Sequence, residues 1–582
     1  MSHNITVPST MLLTEIPNVY QRAVALERRI RLRELYPEGV VPYLARQEYA
    51  GAIATPVGPS ASRAPSVTTT FQAKLPLDQY PKQDYTLECQ NTMIYLGKMD
   101  GYPFSQSIPK FDPWFRHVLK DKAPEKVRDL EDTFMRDPCT PDRVMKHLSL
   151  FDREWKRMPT GRLMTRAKEI VAKMFSPLGK VEPIDFNYAG WHEILPHLDM
   201  TSSPGLPLRR EYLTQGECLG HIYDKTKRLN HFAKFLHPAA VRAPPCMIGV
   251  RPGLIRKDEF ETKIKARGVW AYPAEVKVME MRYVIPLLNR MSTMFLKIPY
   301  PIGRNMTKAL PMIIDNLLRD GKHGFVTDVS NLDASVGPDW IDWAFSLIKS
   351  FYNFGITQSS ETRNENVFDF LHYYFKRTPI LLPSGQLIKK AGGVPSGSGF
   401  TQLVDTMVTI LATVFTMLRM GYSENDILGK IWTVGDDMAT SVPEDFDVEG
   451  FVKLMSYLGF TINLKKVMFS NKGIELKFLG YSKYGGSVFR PLDELLQGAF
   501  FPEKYVGNAE RSRMRIAGQT LAAGMTDAFF SKVNYWMEEL VSLATDLNPD
   551  ELYIPQKRWM KMVLGLDELP RTTLAFDMFP LV

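Results

Sequence analysis

The feature that most constrains this chain is a pair of adjacent aspartates, Asp436 and Asp437, in the segment "TVGDDMATSV". Neighbouring carboxylates repel each other, and Gly-Asp-Asp suits the tight turn between two strands better than the interior of a helix or a strand. We therefore predict strand, turn and strand for this segment. Such a turn is either a solvated hairpin loop or a site that presents both carboxylates to a metal ion.

Length and composition define a large globular protein. With 582 residues the chain exceeds one ordinary core, so we expect about two to four subdomains. The apolar share of 45% and the charged share of 23% exclude a largely disordered protein. The 72 Lys and Arg against 64 Asp and Glu give a formal charge of +8, which permits a polyanionic partner without requiring one.

Cysteines and hydrophobic segments indicate the compartment. The cysteines are too scattered for a metal-binding motif and are interpreted as reduced packing thiols; they are Cys89, Cys139, Cys218 and Cys246. The N-terminus lacks a basic region followed by an apolar core. The longest apolar stretch, Leu403 to Met420, contains Asp405 and several threonines, which favours a buried helix over a membrane span. We expect a soluble intracellular protein.

A second acidic segment lies upstream of the aspartate pair. In "DVSNLD", Asp328 ends an apolar strand and Asp333 follows after a short loop. Two-metal phosphoryl transfer needs carboxylates from separate elements that converge on the ions, and a strand end beside the Gly-Asp-Asp hairpin meets that need. Mg²⁺ fits because it prefers oxygen ligands, and no neighbouring His or Cys cluster indicates zinc. The alternative is an Asx-turn at the strand end.

Three further segments have the chemistry to bind phosphate, sugar or nucleic acid. "PSGSGFT", Pro395 to Thr401, is a small-residue loop before a predicted long helix; it lets the backbone approach a ligand closely, and it suits a hinge equally well. "KIKARGVWAYP" places Lys263, Lys265 and Arg267 on one face of an extended segment, which suits either a triphosphate or a solvated edge strand. "TSSPGLPLRR" joins a kinked loop to two arginines, which suits a nucleic-acid backbone.

Taken in chain order, these segments resemble the palm motifs of viral RNA-dependent RNA polymerases. The order is a basic segment, D-x4-D, the small-residue loop and helix, the Gly-Asp-Asp hairpin and the lysines of "NLKK", and the resemblance covers about residues 200–490. The phrases "GVPSGSGFTQLVD", "VWAYP" and "FLGYSKYGGSVFRP" are similar to the polymerases of partitiviruses, which are small segmented double-stranded RNA viruses. The picobirnavirus polymerases are the nearest alternative.

The resemblance implies an α+β fold shaped as a right hand, with fingers, thumb and a palm built on an antiparallel sheet backed by helices. The implied division is an N-terminal extension bridging fingers and thumb at 1–110, fingers at 111–274, the first part of the palm at 275–350, a fingers insertion at 351–393, the second part of the palm at 394–488 and the thumb at 489–582.

The resemblance also implies roles for individual residues. Asp328 and Asp436 would bind two catalytic Mg²⁺ ions, for which Mn²⁺ could substitute, with Asp437 contributing nearby. Lys466 would be the general acid for the pyrophosphate leaving group, with Lys465 as the competing candidate. The nucleotide-binding set would be Lys263, Lys265, Arg267, Asp333, Ser396, Gly397, Thr401 and Asp405, and the template-binding set would be Ser202, Ser203 and Gly205.

The implied reaction is RNA-directed RNA synthesis that replicates and transcribes a viral double-stranded RNA genome. The partners would be template and product RNA, ribonucleoside triphosphates and a viral capsid protein, with no membrane. The enzyme would be a monomer in solution and would work in the host cytoplasm, inside the virion. Two other classes stay open: a reverse transcriptase, whose hairpin usually carries an aromatic-x-Asp-Asp pattern, and a non-catalytic RNA-binding or capsid-associated protein that keeps the polymerase fold.

Three positions depart from the pattern of these polymerases. Leu332 stands where an aromatic residue is common, Gly268 where proline is common, and Met438 where serine is common. None of them removes a predicted metal ligand. Asp405 is expected to share a proton or a cation, because an unscreened carboxylate beside Asp333 and the metal ligands would be repelled.

Overall fold

The chain assembles helices around two larger sheets. The computed structural model of the protein describes residues 87–102, 104, 111–303, 306–354, 363–503, 506 and 509–522. Its strands are β1 (Ile94–Lys98), β2 (Phe134–Arg136), β3 (Cys246–Pro252), β4 (Leu254–Arg256), β5 (Ala266–Ala271), β6 (His323–Ser330), β7 (Pro379–Leu381), β8 (Gln386–Lys389), β9 (Ile431–Val434), β10 (Asp437–Val442), β11 (Thr461–Ile462), β12 (Met468–Ser470), β13 (Ser482–Tyr484) and β14 (Ser487–Phe489). Its α-helices are α1 (Pro113–Lys122), α2 (Pro124–Thr133), α3 (Pro141–Ser149), α4 (Arg162–Phe175), α5 (Tyr188–Ile194), α6 (Leu219–Phe235), α7 (Ala274–Ser292), α8 (Met306–Leu317), α9 (Leu332–Ser335), α10 (Pro338–Ser350), α11 (Asn364–Lys376), α12 (Thr401–Arg419), α13 (Glu424–Ile427), α14 (Val448–Leu458), α15 (Leu492–Phe500) and α16 (Ala509–Ala522).

The central sheet is built around β6, whose sequence "HGFVTDVS" is buried along nearly its whole length. The strand order is β11-β6-β10-β9, and β12 also pairs with β6. All of these pairings are antiparallel. β9 and β10 form the hairpin predicted for the Gly-Asp-Asp segment, with Val434 opposite Asp437. The prediction of strand, turn and strand is therefore confirmed.

The helix α12 supports this hairpin. Most of its residues are buried, and it packs against β9 and against the helices α4, α10 and α14. By length and composition alone α12 could span a membrane, but 83% of its most apolar window is buried inside the protein. That burial is expected of a core helix, so the prediction of a buried helix is confirmed.

A second five-stranded sheet has the strand order β1-β8-β7-β3-β5. β3 and β5 form an antiparallel pair from Met247 opposite Ala271 to Pro252 opposite Ala266. The helix α3 packs on β5, and Trp270 of β5 is fully buried. β5 leads within three residues into α7, so this strand fixes where α7 begins.

A buried carboxylate joins the first and last described helices. Asp112 caps α1 by accepting the amides of Trp114 and Phe115, both at 3.1 Å. The same carboxylate accepts the Ser512 hydroxyl at 2.8 Å and pairs with Arg515 at 2.5 Å, both from α16. Because hydrogen bonds and an opposite charge compensate the buried carboxylate, this network ties the C-terminal helices to the start of the described chain.

The structure bears on some of the predictions about cysteines and subdomains, and others concern residues outside the described ranges. The cysteines are free thiols, with Cys89 partly exposed and the other three buried, as predicted. The proposed boundaries of fingers, palm and thumb stay predictions. Residues 1–86, 103 and 105–110 of the predicted N-terminal extension, and residues 523–582 of the predicted thumb, lie outside the described residues.

The buried Glu275 in the first turn of α7 generates a prediction about stability. Its side-chain Oε2 has no hydrogen-bond partner in the described part of the chain, and burial raises the pKa of Glu275 to about 7. Between pH 4.5, the unperturbed value, and about 7, the folded protein keeps a proton that the unfolded chain loses, so this group lowers stability as pH rises.

We expect Glu275→Gln to stabilise the protein at pH 8 by up to roughly 3 kcal/mol and to have little effect at pH 5. Denaturant unfolding at both values measures this, with the exposed Glu449→Gln on α14 as control. A gain of equal size at both pH values, or none at pH 8, would contradict the assignment of a buried, protonated acid.

Candidate active site

Backbone register brings three aspartates together at one end of the central sheet. Asp328 near the end of β6 lies directly opposite Asp437 at the start of β10. Residues directly opposite in an antiparallel pair present their side chains on the same face of the sheet. Asp436 precedes β10 in the turn, and its carbonyl accepts the amide of Val329 at 3.2 Å. The structure thus gathers the three residues that the sequence nominated as metal ligands.

Two threonines of α12 hold the turn that carries the aspartates. The Gly435 amide donates to Thr406 Oγ1 at 2.9 Å, and Thr409 Oγ1 donates to the Gly435 carbonyl at 2.9 Å. Gly435 adopts φ +67°, and an added Cβ would lie 2.8 Å from Gln402 Nε2. Glycine is therefore required here for its backbone conformation and for the close approach of α12.

The aspartates form a site of concentrated negative charge. Burial, and then the charge of Asp328, raise the pKa of Asp436. Burial, and then the charges of Asp436 and Asp328, raise the pKa of Asp437 to about 6. Part of both shifts comes from repulsion between the carboxylates, which a bound cation would relieve.

Lys466 is the one cation that the described structure bonds directly to this group. Its Nζ lies 2.9 Å from Asp328 Oδ1, and although burial opposes the charged form, the hydrogen bond and charge of Asp328 raise the pKa of Lys466. The backbone of β6 fixes this contact, because the Asp328 carbonyl accepts the amide of Asn463 at 2.9 Å. Lys465 is exposed, and its charge acts on Glu259.

The donor set fits a magnesium-type ion better than zinc. Within the ranges that the structure describes, there is no group of three or more His, Cys, Asp or Glu side chains that could hold a metal ion. Mg²⁺ is usually held by one or two carboxylates, with water and substrate phosphates completing its coordination. An open set of aspartates on adjacent strands therefore suits an ion that arrives with a substrate.

The basic segment is only partly arranged as predicted. β5 begins at Ala266, so Arg267 lies in the strand, Lys265 directly precedes it, and Lys263 lies in the preceding turn. The Lys263 ammonium forms an ion pair with Glu259. Of the three cations only Arg267 therefore lies within a strand, because β5 begins after Lys263 and Lys265, and the shared face of the three stays a prediction.

Lys265 nevertheless belongs to the positively charged side of the site. Burial, followed by the charges of Arg267 and Lys466, lowers the pKa of Lys265. Asp137, which pairs with Arg143, fixes the backbone here by accepting the Lys265 amide at 2.9 Å. A cluster of cations that repel one another is suited to a polyanionic ligand such as a triphosphate.

Asp333 and Asp405 are two further carboxylates near the aspartate group, and Asp405 is affected by the charges of both Asp333 and Asp436. Asp333, in the short helix α9, accepts its neighbour's amide at 2.8 Å, and its carbonyl accepts the Val394 amide at 2.7 Å. Asp405 is buried on α12, and its Oδ1 has no hydrogen-bond partner among the described residues. Burial, then the charges of Asp333 and Asp436, raise the pKa of Asp405 well above its usual range. The raised pKa favours the protonated form of Asp405, and the expected sharing of a proton or a cation stays a prediction.

The loop of residues 395–401, the Ser-Gly loop from here on, packs against β5. Ser396 Oγ accepts the Trp270 amide at 3.3 Å, and a Cβ at Gly397 would lie 1.8 Å from the Trp270 carbonyl oxygen, so position 397 excludes any side chain. Thr401 Oγ1 donates to the Pro395 carbonyl at 2.7 Å. The Thr401 hydroxyl is therefore engaged within the loop itself.

The predicted template loop packs against the segment just beyond the end of β5. Ser202 Oγ accepts from Gln215 Nε2 at 2.8 Å, and the exposed Ser203 accepts the Gly205 amide at 3.2 Å. Gly205 has φ +69°, and a Cβ there would lie 2.6 Å from the Tyr272 carbonyl oxygen. The template loop and the Ser-Gly loop therefore both pack on the segment that follows Gly268, at the junction of β5 and α7.

Sequence reasoning missed two residues beside these segments. His147 of α3 accepts the Gly268 amide on Nδ1 at 3.3 Å, which explains why glycine can stand where proline is common, since proline has no N–H to donate. Glu280 of α7 is fully buried and accepts from the Ser-Gly loop, and burial raises the pKa of Glu280 to about 7. Both residues lie outside the motifs, and the contacts that distinguish them depend on tertiary packing.

Comparisons with known proteins identify the family. The model of the viral RNA-dependent RNA polymerase family matches residues 116–532. The chain belongs to this family. The polymerase is 26% identical over 424 residues to the RNA-directed RNA polymerase of Cryptosporidium parvum virus 1 (strain KSU-1), a match covering 67% of this chain and 75% of that protein. It is 24% identical over 174 residues to the RNA-directed RNA polymerase of Atkinsonella hypoxylon virus (isolate 2H), which covers 28% of this chain and 26% of that protein.

The fold of the polymerase is also similar to that of a solved viral enzyme. The crystal structure of the RNA-dependent RNA polymerase of a human picobirnavirus superposes with a TM-score of 0.55 at 14% sequence identity, covering 79% of this chain and 87% of that one. The predicted right-hand polymerase fold and the predicted enzyme class, an RNA-directed RNA polymerase, are thereby confirmed. Members of this family act on RNA and ribonucleoside triphosphates with divalent metal ions.

The raised pKa of Asp405 leads to a test of this polymerase. Asparagine has nearly the shape of a protonated aspartate, so we expect Asp405→Asn to keep RNA synthesis within about threefold of wild type, and Asp405→Ala, which removes the polar group, to lose about tenfold or more. Initial rates of nucleotide incorporation at pH 7.5 measure both variants. If Asp405→Asn loses as much activity as Asp405→Ala, a charged carboxylate at this position is required.

Proposed function

We propose that this polymerase replicates and transcribes a viral double-stranded RNA genome, adding ribonucleotides on an RNA template by two-metal nucleotidyl transfer. The observation that carries the proposal is the pairing of β6 with β10, which sets Asp328 opposite Asp437 and beside Asp436. Carboxylates from separate elements around one point are what this chemistry requires. The double-stranded genome rests on the resemblance of the motifs to those of partitivirus and picobirnavirus polymerases.

Asp328 and Asp436 would hold the metal ions, and Asp437 would contribute from beside them. Two Mg²⁺ ions, for which Mn²⁺ could substitute, would supply charge stabilisation at the attacking 3′-oxygen and at the leaving pyrophosphate. Lys466 contacts Asp328 Oδ1 at 2.9 Å. To act as the general acid it would turn from this oxygen toward the pyrophosphate, which would leave both carboxylate oxygens of Asp328 to the metal ions.

Lys466 is the better candidate for the general acid. A general acid has to lie within hydrogen-bond reach of the atom that receives its proton. Both lysines are exposed, but the contact of Lys466 with Asp328 puts its Nζ at the carboxylates, whereas the charge of Lys465 acts on Glu259. In this role Lys466 would transfer its proton to the pyrophosphate oxygen as the bond to the α-phosphate breaks.

The nucleotide would lie between the basic segment and α12. Arg267 and Lys265 would contact the triphosphate, with Arg267 able to bind two oxygens at once. Lys263 has a smaller part, because its ammonium is paired with Glu259. The triphosphate would relieve the mutual repulsion that lowers the pKa of Lys265.

The ribose would be contacted by residues of α9, the Ser-Gly loop and α12. Asp333 and Ser396 would hydrogen-bond the 2′-hydroxyl, which both donates and accepts. Asp405 would donate its proton toward this group, and Gly397 would contribute by letting the loop pack directly on the Trp270 carbonyl. Thr401 acts through the shape of the Ser-Gly loop, since its hydroxyl is bonded to the Pro395 carbonyl.

RNA and assembly partners complete the proposal. The template strand would pass over Ser202, Ser203 and Gly205, whose loop packs on the same junction as the Ser-Gly loop. We further propose a polymerase that is monomeric in solution, associates with the viral capsid protein and works inside the virion in the host cytoplasm, as the resemblance to partitivirus polymerases implies.

RNA synthesis on a short single-stranded RNA template, with ribonucleotides and Mg²⁺, tests the proposal. We expect template-length product from the wild type and a loss of more than about a hundredfold in Asp436→Asn, because the amide cannot replace a charged metal ligand. Asp445→Asn, on the exposed segment after the far end of β10, is the matched control and should behave as wild type.

Each other outcome has a defined meaning. Incorporation of deoxyribonucleotides in preference to ribonucleotides would identify a reverse transcriptase. RNA binding without product in Mg²⁺ or Mn²⁺ would favour a binding role or a need for the capsid. Full activity of Asp436→Asn would contradict its role as a metal ligand.

A further inference from the structure

Contacts before, within and at the exit of the Ser-Gly loop hold it in place. Just before the loop, the buried Lys390 ammonium donates to the Gly393 carbonyl at 2.7 Å. In its middle, Ser396 Oγ accepts the Trp270 amide at 3.3 Å. At its exit, the carboxylate of Glu280 accepts from the loop. Only this last contact joins the loop to α7.

The contact at Glu280 uses both oxygens of a single carboxylate. Ser398 Oγ donates to Oε1 at 2.6 Å, and the Gly399 amide donates to Oε2 at 2.7 Å. Glu280 is 0% exposed, so its side chain has no access to bulk water. A Cβ at Gly399 would lie 3.5 Å from Glu280 Oε2, so the loop backbone packs directly against the carboxylate.

A fully buried acid of this kind has no role in the chemistry described above. It lies on α7, whereas the metal ligands lie on β6 and β10. Burying a carboxylate is unfavourable unless its hydrogen bonds are worth the loss of water, and both bonds here go to one loop. Burial raises the pKa of Glu280, while Ser398, Gly399 and the charge of Lys277 lower it, so the loop contacts support the ionised form.

We propose that Glu280 is a positioning residue that fixes the Ser-Gly loop in the shape that selects ribonucleotides. The inference rests on the proposed function, since it presumes that Ser396 reads the ribose. The carboxylate holds two consecutive residues of the loop exit, Ser398 and Gly399, and thereby sets where Ser396 and Gly397 lie against Trp270. Without this contact, the loop would still be attached at its entry and middle, but its exit would be free to shift.

Glu275 provides a matched control on the same helix. It is also buried, with 2% exposure, and burial raises the pKa of Glu275 to about 7, as it does for Glu280. None of the loop contacts described above involves it. Glutamine at 275 therefore reproduces the loss of a buried acid from α7 without removing a contact to the Ser-Gly loop.

Steady-state incorporation of a ribonucleotide and of its deoxy analogue measures the effect. We expect Glu280→Gln to lower the ratio of kcat/KM for the ribonucleotide over the deoxyribonucleotide by about tenfold, the scale of one hydrogen bond to a charged group, mainly by raising KM for the ribonucleotide. Glu275→Gln should keep the wild-type ratio within about twofold. Equal ratios in wild type and Glu280→Gln, or an equal fall in both variants, would overturn the proposal.

Ser398→Ala approaches the same contact from the loop. It should lower the ratio in the same direction, and the double variant Glu280→Gln/Ser398→Ala should fall by less than the two single effects combined, because both changes remove the hydrogen bond between Ser398 and Glu280. Additive effects would show that the two residues act separately. Ser398→Ala also serves as the test if Glu280→Gln does not fold.

Hydrogen exchange separates this inference from the proposed function. In the free protein, amides of residues 396–401 should exchange at least about fivefold faster in Glu280→Gln than in wild type, and at the wild-type rate in Glu275→Gln. This readout needs no catalysis. Unchanged exchange in Glu280→Gln overturns the positioning role even in an active enzyme, and an inactive wild type with this exchange pattern contradicts the proposed function alone.

Discussion

The register between β6 and β10 is the constraint on which the rest of the site depends. It sets Asp328 opposite Asp437, and side chains alternate along a strand, so a slip of one residue would turn one of these carboxylates to the other face. The repulsion between the aspartates opposes the pairing, and the surrounding fold supplies what outweighs it. β6 is buried between neighbouring strands, and the two threonines of α12 fix the turn through Gly435.

Around this end of the central sheet, carboxylates and cations come from different elements of the polymerase. The central sheet and α12 contribute carboxylates, whose pKa values are raised at Asp405, Asp436 and Asp437. β5 and its preceding turn contribute cations, whose crowding contributes to the lowered pKa of Lys265. Within each of these two groups, side chains of like charge repel one another. A metal ion on one side and a triphosphate on the other would relieve both, which would make nucleotide and metal binding mutually favourable.

The sequence predicted the parts of the site that local patterns determine. The hairpin of "TVGDDMATSV", the strand before Asp328 and the buried helix after the Ser-Gly loop follow from alternation, turn residues and length, and the structure has all three. The sequence could not predict which partners individual polar side chains would bind in the folded protein. Lys263 is engaged by Glu259, and Thr401 by the Pro395 carbonyl.

Two further features were inaccessible to motif reading for the same reason. Gly268 in place of proline was visible in the sequence, but its meaning depends on His147, which lies on α3 far earlier in the chain. Glu280 looks like an ordinary acid of an amphipathic helix until the fold buries it against Ser398. Positions of strands and turns could be predicted, whereas assigning a partner to a buried charge required the structure.

The most direct test of the account is to locate the metal ions. Crystals of the polymerase grown with Mn²⁺ and an unreactive ribonucleoside triphosphate analogue would be measured at the manganese absorption edge. The account predicts two anomalous peaks about 3.5–4 Å apart, bound by Asp328 and Asp436, with Lys466 moved from Asp328. Peaks elsewhere, or an unmetallated Asp328 still paired with Lys466 while the nucleotide is bound, would contradict it.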